Sequence, residues 1–304
     1  MCGIYGVLSY KNKLKNINAL VNTLGMESAE RGTDATGVAY VQNGKIKINK
    51  KAVSAYKFEP EVPKSALAVI GHTRHSTQGD KSKNYNNHPW CENVQNCQFA
   101  LAHNGVIIND TSLQKRYNFK SRIKTDSFVA VQLLKMKNKL DFESLKFMAE
   151  SICGSFSFNI LDSDNNIYIV KGDSPVSILH FKSAGVYVFA STEHILWQAL
   201  IDSELFAELQ RGNFEEIILN EGDILKIRNS GELEMSDFTY LYYTGRRWYE
   251  YDSMQVSMYD ELYLDEIKAV AAMYGINPET VEELYNEGFT FDELEEMIYS
   301  GGEI

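Results

Sequence analysis

The chain has 304 residues, 44% of them hydrophobic, enough for one large core and a small one, with no run of the roughly 20 apolar residues that a membrane helix needs. The opening MCGIYGVLSYKNK lacks a signal peptide's basic flank and apolar core, and four cysteines at no metal-like spacing point to a cytosolic chain with reduced thiols. The net charge of −11 is concentrated at one end: from Glu250 onward 15 acidic residues face one basic residue, Lys268, which is −14, leaving +3 for the first 249 residues.

Residues 4–10 are apolar and β-prone and predict a buried strand at the extreme N-terminus. Residues 15–30 carry helical spacing through Ile17, Leu20, Val21 and Leu24. Residues 38–41 and 45–48, joined by Asn43-Gly44, predict a hairpin with a primed turn. Further strands are expected at 66–71, 97–103, 155–161, 167–171, 186–191 and 224–228, and helices at 127–137, 141–152 and 195–200. Many strands with few helices predict antiparallel sheets under helical layers, an α+β class. The last 45 residues differ. A helical pattern over 260–274 ends at Gly275, Asn277-Pro278 starts a second helix that ends before Gly288, and Thr290 with Glu293 caps a third that ends at Gly301. The charge break places the boundary near 245–258, giving domains at 2–245 and 258–304. The small acidic domain resembles ubiquitin-associated-type three-helix units. Its charge reads as solvated helix faces or as an acidic docking surface, and it repels nucleic-acid and membrane phosphates.

Chemistry starts at Cys2. A small residue after Met1 permits removal of that methionine, which exposes a free α-amine on Cys2. Such an amine, of pKa about 7.7–8.0, can deprotonate its own neighbouring thiol, so that nucleophile and base belong to one residue. A buried structural cysteine is the competing reading of Cys2 taken alone. Further along come Arg31-Gly32-Thr33-Asp34-Ala35-Thr36-Gly37, then Gly71-His72-Thr73-Arg74-His75-Ser76-Thr77-Gln78-Gly79, then His88-Pro89, His103-Asn104-Gly105 and Thr125-Asp126.

Taken in this order, over residues 2–230, these segments resemble the class II glutamine amidotransferase domain found in glucosamine-6-phosphate synthase, asparagine synthetase, amidophosphoribosyltransferase and glutamate synthase. The resemblance implies the four-layer αββα sandwich of N-terminal nucleophile hydrolases, with Cys2 as nucleophile. It implies that Asn104 and Gly105 form the oxyanion hole, that Arg74 holds the glutamine α-carboxylate with a hydroxyl contact from Thr77, and that Asp126 pairs with the α-ammonium. The residue types fit a zwitterion: Arg74 offers a bidentate fork, Asp126 an anion, Asn104 an NH2 and Gly105 an unshielded N–H. Arg31 resembles the family arginine beside the nucleophile, or else ties down a loop. His75 stands in the loop expected to close over glutamine. Asn104-Gly105 also reads as a hairpin turn with a returning strand at 106–108. Histidines 72, 75, 88 and 103 lack metal-ligand spacing, so no metal and no cofactor is expected. Cys91 and Cys97 read as structural.

The expected reaction is hydrolysis of L-glutamine to glutamate and ammonia through a Cys2 thioester. Only 60–70 residues follow the amidotransferase region, too few for a synthase domain, so an ammonia acceptor is expected on a separate partner enzyme, in a pathway such as nucleobase or nucleotide modification. The alternatives are an amidohydrolase for another γ-glutamyl amide and an inactive glutamine-sensing or scaffolding module.

Overall fold

An apolar run without polar alternation must be covered on both sides, and the opening strand is. The structure is a computed structural model that describes residues 2–11, 14–240, 264–265, 267–272 and 274–300. In it the run becomes β1 (Gly3–Ser9), buried along its whole length. Helix α1 (Ile17–Glu27) starts at Asn16, whose side chain accepts the Ala19 N–H at 3.2 Å. The hairpin β2 (Ala35–Gln42) and β3 (Lys45–Lys51) turns through Asn43 and Gly44, both at positive φ, as a primed turn requires.

Strands β4 (Ala68–Arg74), β5 (Trp90–Asn93) and β6 (Gln98–Ile107) come next. They lead to α2 (Asp110–Arg116), α3 (Phe128–Lys137) and α4 (Phe142–Ser151), the last capped by Asp141, which accepts the Ser144 N–H at 2.9 Å. Two hairpins follow, one in each sheet: β7 (Gly154–Asp162) with β8 (Ile167–Lys171), and β9 (Ser177–Phe181) with β10 (Val186–Ala190). Then come α5 (Glu193–Ile201), α6 (Phe206–Gln210), β11 (Glu215–Glu216), β12 (Asp223–Ile227) and β13 (Leu233–Asp237).

The strands form two antiparallel sheets, ordered β11-β9-β10-β1-β4-β2-β3 and β13-β12-β8-β7-β6-β5. Leu8, Ile70 and Phe189 of the first share one core with Leu161, Ile169 and Leu225 of the second. Val7 and Val188, on the opposite face of the first sheet, join a core with Leu20 and Leu24 of α1 and Leu196 of α5. Val131 and Leu134 of α3 and Leu145 of α4 share a core with Phe158 and Ile160 of the second sheet. Successive residues of a strand point to opposite faces, so β1 feeds both cores. The result is the expected αββα sandwich. Polar side chains also cross the seam between the sheets. Asn159 on β7 donates to the carbonyls of Tyr5 and Gly71 at 3.2 and 3.3 Å.

The chain divides into two compact units, Cys2–Tyr240 and Leu241–Ile304. In the second, α7 (Pro278–Glu287) begins at Asn277, whose side chain accepts the Glu279 N–H at 3.1 Å, and ends at Gly288 with φ 105°. Helix α8 (Phe291–Ser300) opens with a reciprocal capping box: Thr290 N–H donates to Glu293 at 2.8 Å, and Glu293 N–H donates to the Thr290 hydroxyl at 3.3 Å. Residues 267–272 are helical, while 260–263 of the expected first helix lie outside the described residues. Ile267, Val281, Leu294 and Ile298 are buried. No helix among the described residues is long and apolar enough to cross a membrane.

Candidate active site

The site assembles where the first turn after α1, the ends of β1, β4 and β6, and the segment before α3 meet. β1 starts beside β4, with Gly3 opposite Thr73. The Thr73 hydroxyl donates to Ser28 O at 2.7 Å and so fixes the 3-10 turn Ser28–Glu30. That turn delivers Arg31, whose side chain is buried. Arg31 Nε donates to the Cys2 carbonyl at 2.8 Å, and Nη2 reaches Asn104 Oδ1 at 3.5 Å. One guanidinium therefore touches both the residue carrying the thiol and the residue carrying the amide. These contacts suit both readings of Arg31, the arginine beside the nucleophile and the tie on a loop.

Asn104 and Gly105 sit inside β6, opposite Ser157 and Phe156 of β7. The hairpin reading is overturned, because Val106 and Ile107 continue the same ladder against Ser155 and Gly154. Gly105 has φ 128°, and a Cβ there would lie 2.1 Å from Ser155 O, so the backbone twists where only glycine fits. Since Asn104 Oδ1 faces the Arg31 donor, its Nδ2 is the remaining group. That NH2 is buried and has no hydrogen-bond partner among the described residues. A buried donor left unmade costs about 1–3 kcal/mol, which makes this atom a strong candidate for a substrate oxygen.

Arg74 closes β4 and is buried. It donates to Asn87 Oδ1 at 2.6 Å, to Gln78 O, and to Gly79 O at 3.3 Å. Burial pulls it below the usual arginine range, opposed by the acidic groups of Cys2, Asp126 and Asp34. Asp126 lies just before α3 and is buried too. It accepts the Ile107 N–H at 2.7 Å and the Ser127 hydroxyl at 3.3 Å. Burial nevertheless raises its pKa, with these bonds and the charge of Arg74 opposing. The ionised form is the one that pairs with an ammonium. Acidification through the raised pKa should therefore raise the KM for an α-amino acid. A KM–pH profile checks this, and Asp126→Asn should erase its acid limb.

His75 and Thr77 are exposed in the loop after β4. Cys2 Sγ donates to the His75 backbone carbonyl at 3.4 Å, not to its ring. Thr77 makes no side-chain hydrogen bond among the described residues. Asp34 anchors this loop by accepting the Ser76 N–H at 2.9 Å and pairing with Lys81. Burial works against ionisation of Asp34, yet the bonds from Lys81 and Ser76 hold it below the usual carboxylate range.

Three of the histidines are structural. His72 and His88 stack with ring centroids 4.0 Å apart, His88 Nδ1 accepts the His103 N–H at 3.1 Å, and His72 Nε2 meets His103 O at 3.0 Å. Burial, followed for His72 and His88 by neighbouring positive charges, drives all three down, His103 to about 3, so they stay neutral. No group of three His, Cys, Asp or Glu side chains among the described residues is placed to hold a metal. Burial raises Cys91 to about 11 and Cys97 to about 12, which keeps both thiols protonated. Sequence reasoning missed Asp110, the first residue of α2. It is buried, and its pKa is raised first by burial, with a further rise from the charge of Asp126. The acid so soon after Asn104-Gly105 was visible, but nothing in its spacing marked it.

Comparison with known proteins follows the same lines. Residues 72–198 match the family model described as a glutamine amidotransferase domain. A 7-cyano-7-deazaguanine synthase 2 of Sulfurisphaera tokodaii is 28% identical over 215 residues, covering 67% of this chain and 46% of that protein. A glutamine–fructose-6-phosphate aminotransferase (isomerizing) of Wigglesworthia glossinidia brevipalpis is 30% identical over 246 residues, covering 76% of this chain and 36% of the other. Among solved structures, the glutamine phosphoribosylpyrophosphate amidotransferase of B. subtilis, complexed with ADP and GMP, superposes with a TM-score of 0.63 at 19% identity, over 78% of this chain and 49% of that one. The chain thus spans less than half the length of these curated relatives.

Proposed function

We propose that this chain, a class II glutamine amidotransferase of the N-terminal nucleophile type, hydrolyses L-glutamine to glutamate and ammonia through a γ-glutamyl thioester on Cys2. One observation carries the reading: Arg31 touches both Cys2 O and Asn104 Oδ1, leaving the Asn104 NH2 as a buried donor without a partner among the described residues. With Met1 removed, the Cys2 amine takes the thiol proton and the thiolate attacks the side-chain amide carbon. A C–S bond forms, and the oxyanion is received by Asn104 Nδ2 and the Gly105 N–H. The tetrahedral species collapses, the C–N bond breaks, and the protonated amine passes its proton to the departing ammonia. Water then cleaves the thioester, with the same amine as base.

Arg74 and Asp126 supply the two poles for a free amino acid head group, which favours glutamine and other γ-glutamyl amides over amides that lack one. The relatives that match extend well beyond the shared region, and we place the ammonia acceptor on protein outside the amidotransferase domain. The likeness to a synthase of 7-cyano-7-deazaguanine supports an acceptor that is a modified nucleobase or nucleotide. The four free cysteines fit a reducing, cytosolic compartment. Treatment with diazo-oxo-norleucine, a glutamine-like electrophile, should add one label, on Cys2, with loss of glutamate release. Intact-mass and peptide mass spectrometry read this. A label on another residue, or none, overturns the reading.

A further inference from the structure

We infer that Asn86 and Asn87 are a pair of positioning residues that set the span between the two poles of the amino acid site; the inference rests on the reading of Arg74 and Asp126 given above. Both side chains are buried. They follow the 3-10 turn's start at Asn84 and precede His88-Pro89. Each uses its amide in the same divided way. Asn87 Nδ2 donates to Lys81 O at 3.0 Å, while its Oδ1 accepts Arg74 Nη1 at 2.6 Å. Asn86 Nδ2 donates to Asp80 O at 3.0 Å, while its Oδ1 accepts the Lys124 N–H at 3.0 Å. The NH2 groups grip adjacent carbonyls of the loop after β4. The oxygens grip the carboxylate pole on one side and the strand of chain two residues before Asp126 on the other.

The two grips are joined by backbone. Gly79 O accepts from Arg74, and a Cβ on Gly79 would lie 2.5 Å from Lys124 O, so these two segments touch. The Asn87 backbone is itself pinned, since Lys50 Nζ donates to Asn87 O and, at 2.9 Å, to Pro89 O. A guanidinium has five N–H donors. Asn87, Gln78 and Gly79 engage three of those of Arg74, which fixes its plane and leaves two for a substrate carboxylate. A neutral amide is the suitable partner here. It orients the guanidinium without competing for its charge, whereas a carboxylate at position 87 would form the strong ion pair meant for substrate.

The test is Asn87→Asp, with Asn86→Ala as the second variant, in the full chain. Wild-type labelling of Cys2 by diazo-oxo-norleucine is measured first; its failure would sink the glutaminase reading and not this one. Asn87→Asp should then raise the KM for glutamine by roughly tenfold or more, the value of one charge-assisted hydrogen bond, with kcat within about threefold of wild type. It should slow labelling by diazo-oxo-norleucine by a similar factor, but leave alkylation of Cys2 by iodoacetamide, which has no amino acid head group, unchanged. Asn86→Ala should show the same split through the Asp126 side. If KM is unmoved in both variants, or if the two reagents slow by one common factor, the pair is merely structural and the inference is overturned. KM does not depend on the fraction of protein that folds, so partial misfolding leaves the test decisive.

Discussion

Cys2→Ser and Cys2→Ala are expected to release glutamate at about a thousandth of the wild-type rate or less, the scale on which removal of a covalent nucleophile acts. The reason is that nothing nearby can substitute. The other three cysteines are held protonated by burial, with Cys153 at about 11. Histidines 72, 88 and 103 are neutral, buried, and each commits a ring nitrogen, to His103 O, the His103 N–H and Ser127 respectively. Serine keeps the geometry but needs a far stronger base than an α-amine to form its alkoxide. A variant that retains Met1 should be equally inactive, because the proposed base is then an amide nitrogen. Steady-state glutamate release, with the N-terminus verified by mass spectrometry, checks both. Wild-type turnover from either protein would remove the nucleophile assignment.

How far the sequence carried depends on what kind of signal each residue left. β1 was legible because a strand covered on both faces must be apolar throughout, and Ile4, Val7 and Leu8 are. The Asn43-Gly44 turn and the caps at Asn277 and Thr290 were legible because each rests on a local hydrogen bond or a positive φ that few residue types supply. Strands β5, β9, β11 and β13 were missed, as were α2 and α6. β13 shows why: it is an edge strand with exposed Leu233 and Met235 beside Glu234 and Asp237, and pairing with β12 rather than composition makes it a strand. In α2 only Asp110 and Leu113 are buried, so no apolar stripe announces it.

The site divides the same way. Cys2, Arg31, Arg74, Asn104, Gly105 and Asp126 stood in motifs whose order was readable. That Arg31 would hold the Asn104 oxygen was not, since the two are 73 residues apart and meet only through the β1–β4 pairing and the turn at Ser28. Asn86 and Asn87 left no trace as a pair, because an asparagine before a proline-containing turn reads as turn chemistry until its partners are seen.

Asn104→Ala should lower kcat by about a hundred- to a thousandfold, roughly 3–4 kcal/mol, with little change in KM. The proposed Nδ2 contact is to an oxyanion that exists only in the tetrahedral species, so its loss is felt in the transition state and hardly in the bound substrate. Arg31 sharpens the expectation. Its Nη2 fixes Asn104 Oδ1 and thereby turns Nδ2 toward the site. Asn104→Asp keeps the bond to Arg31 but replaces the donor by an acceptor facing the oxyanion. It should therefore be as inactive as alanine or more so, although it retains the contact that alanine lacks. The two variants separate the donor from the scaffold: thermal unfolding reports the Arg31 bond, and kcat reports the NH2. If Asn104→Asp turned over glutamine at the wild-type rate, the oxyanion would have to be held elsewhere, with the Gly105 N–H as the first place to look.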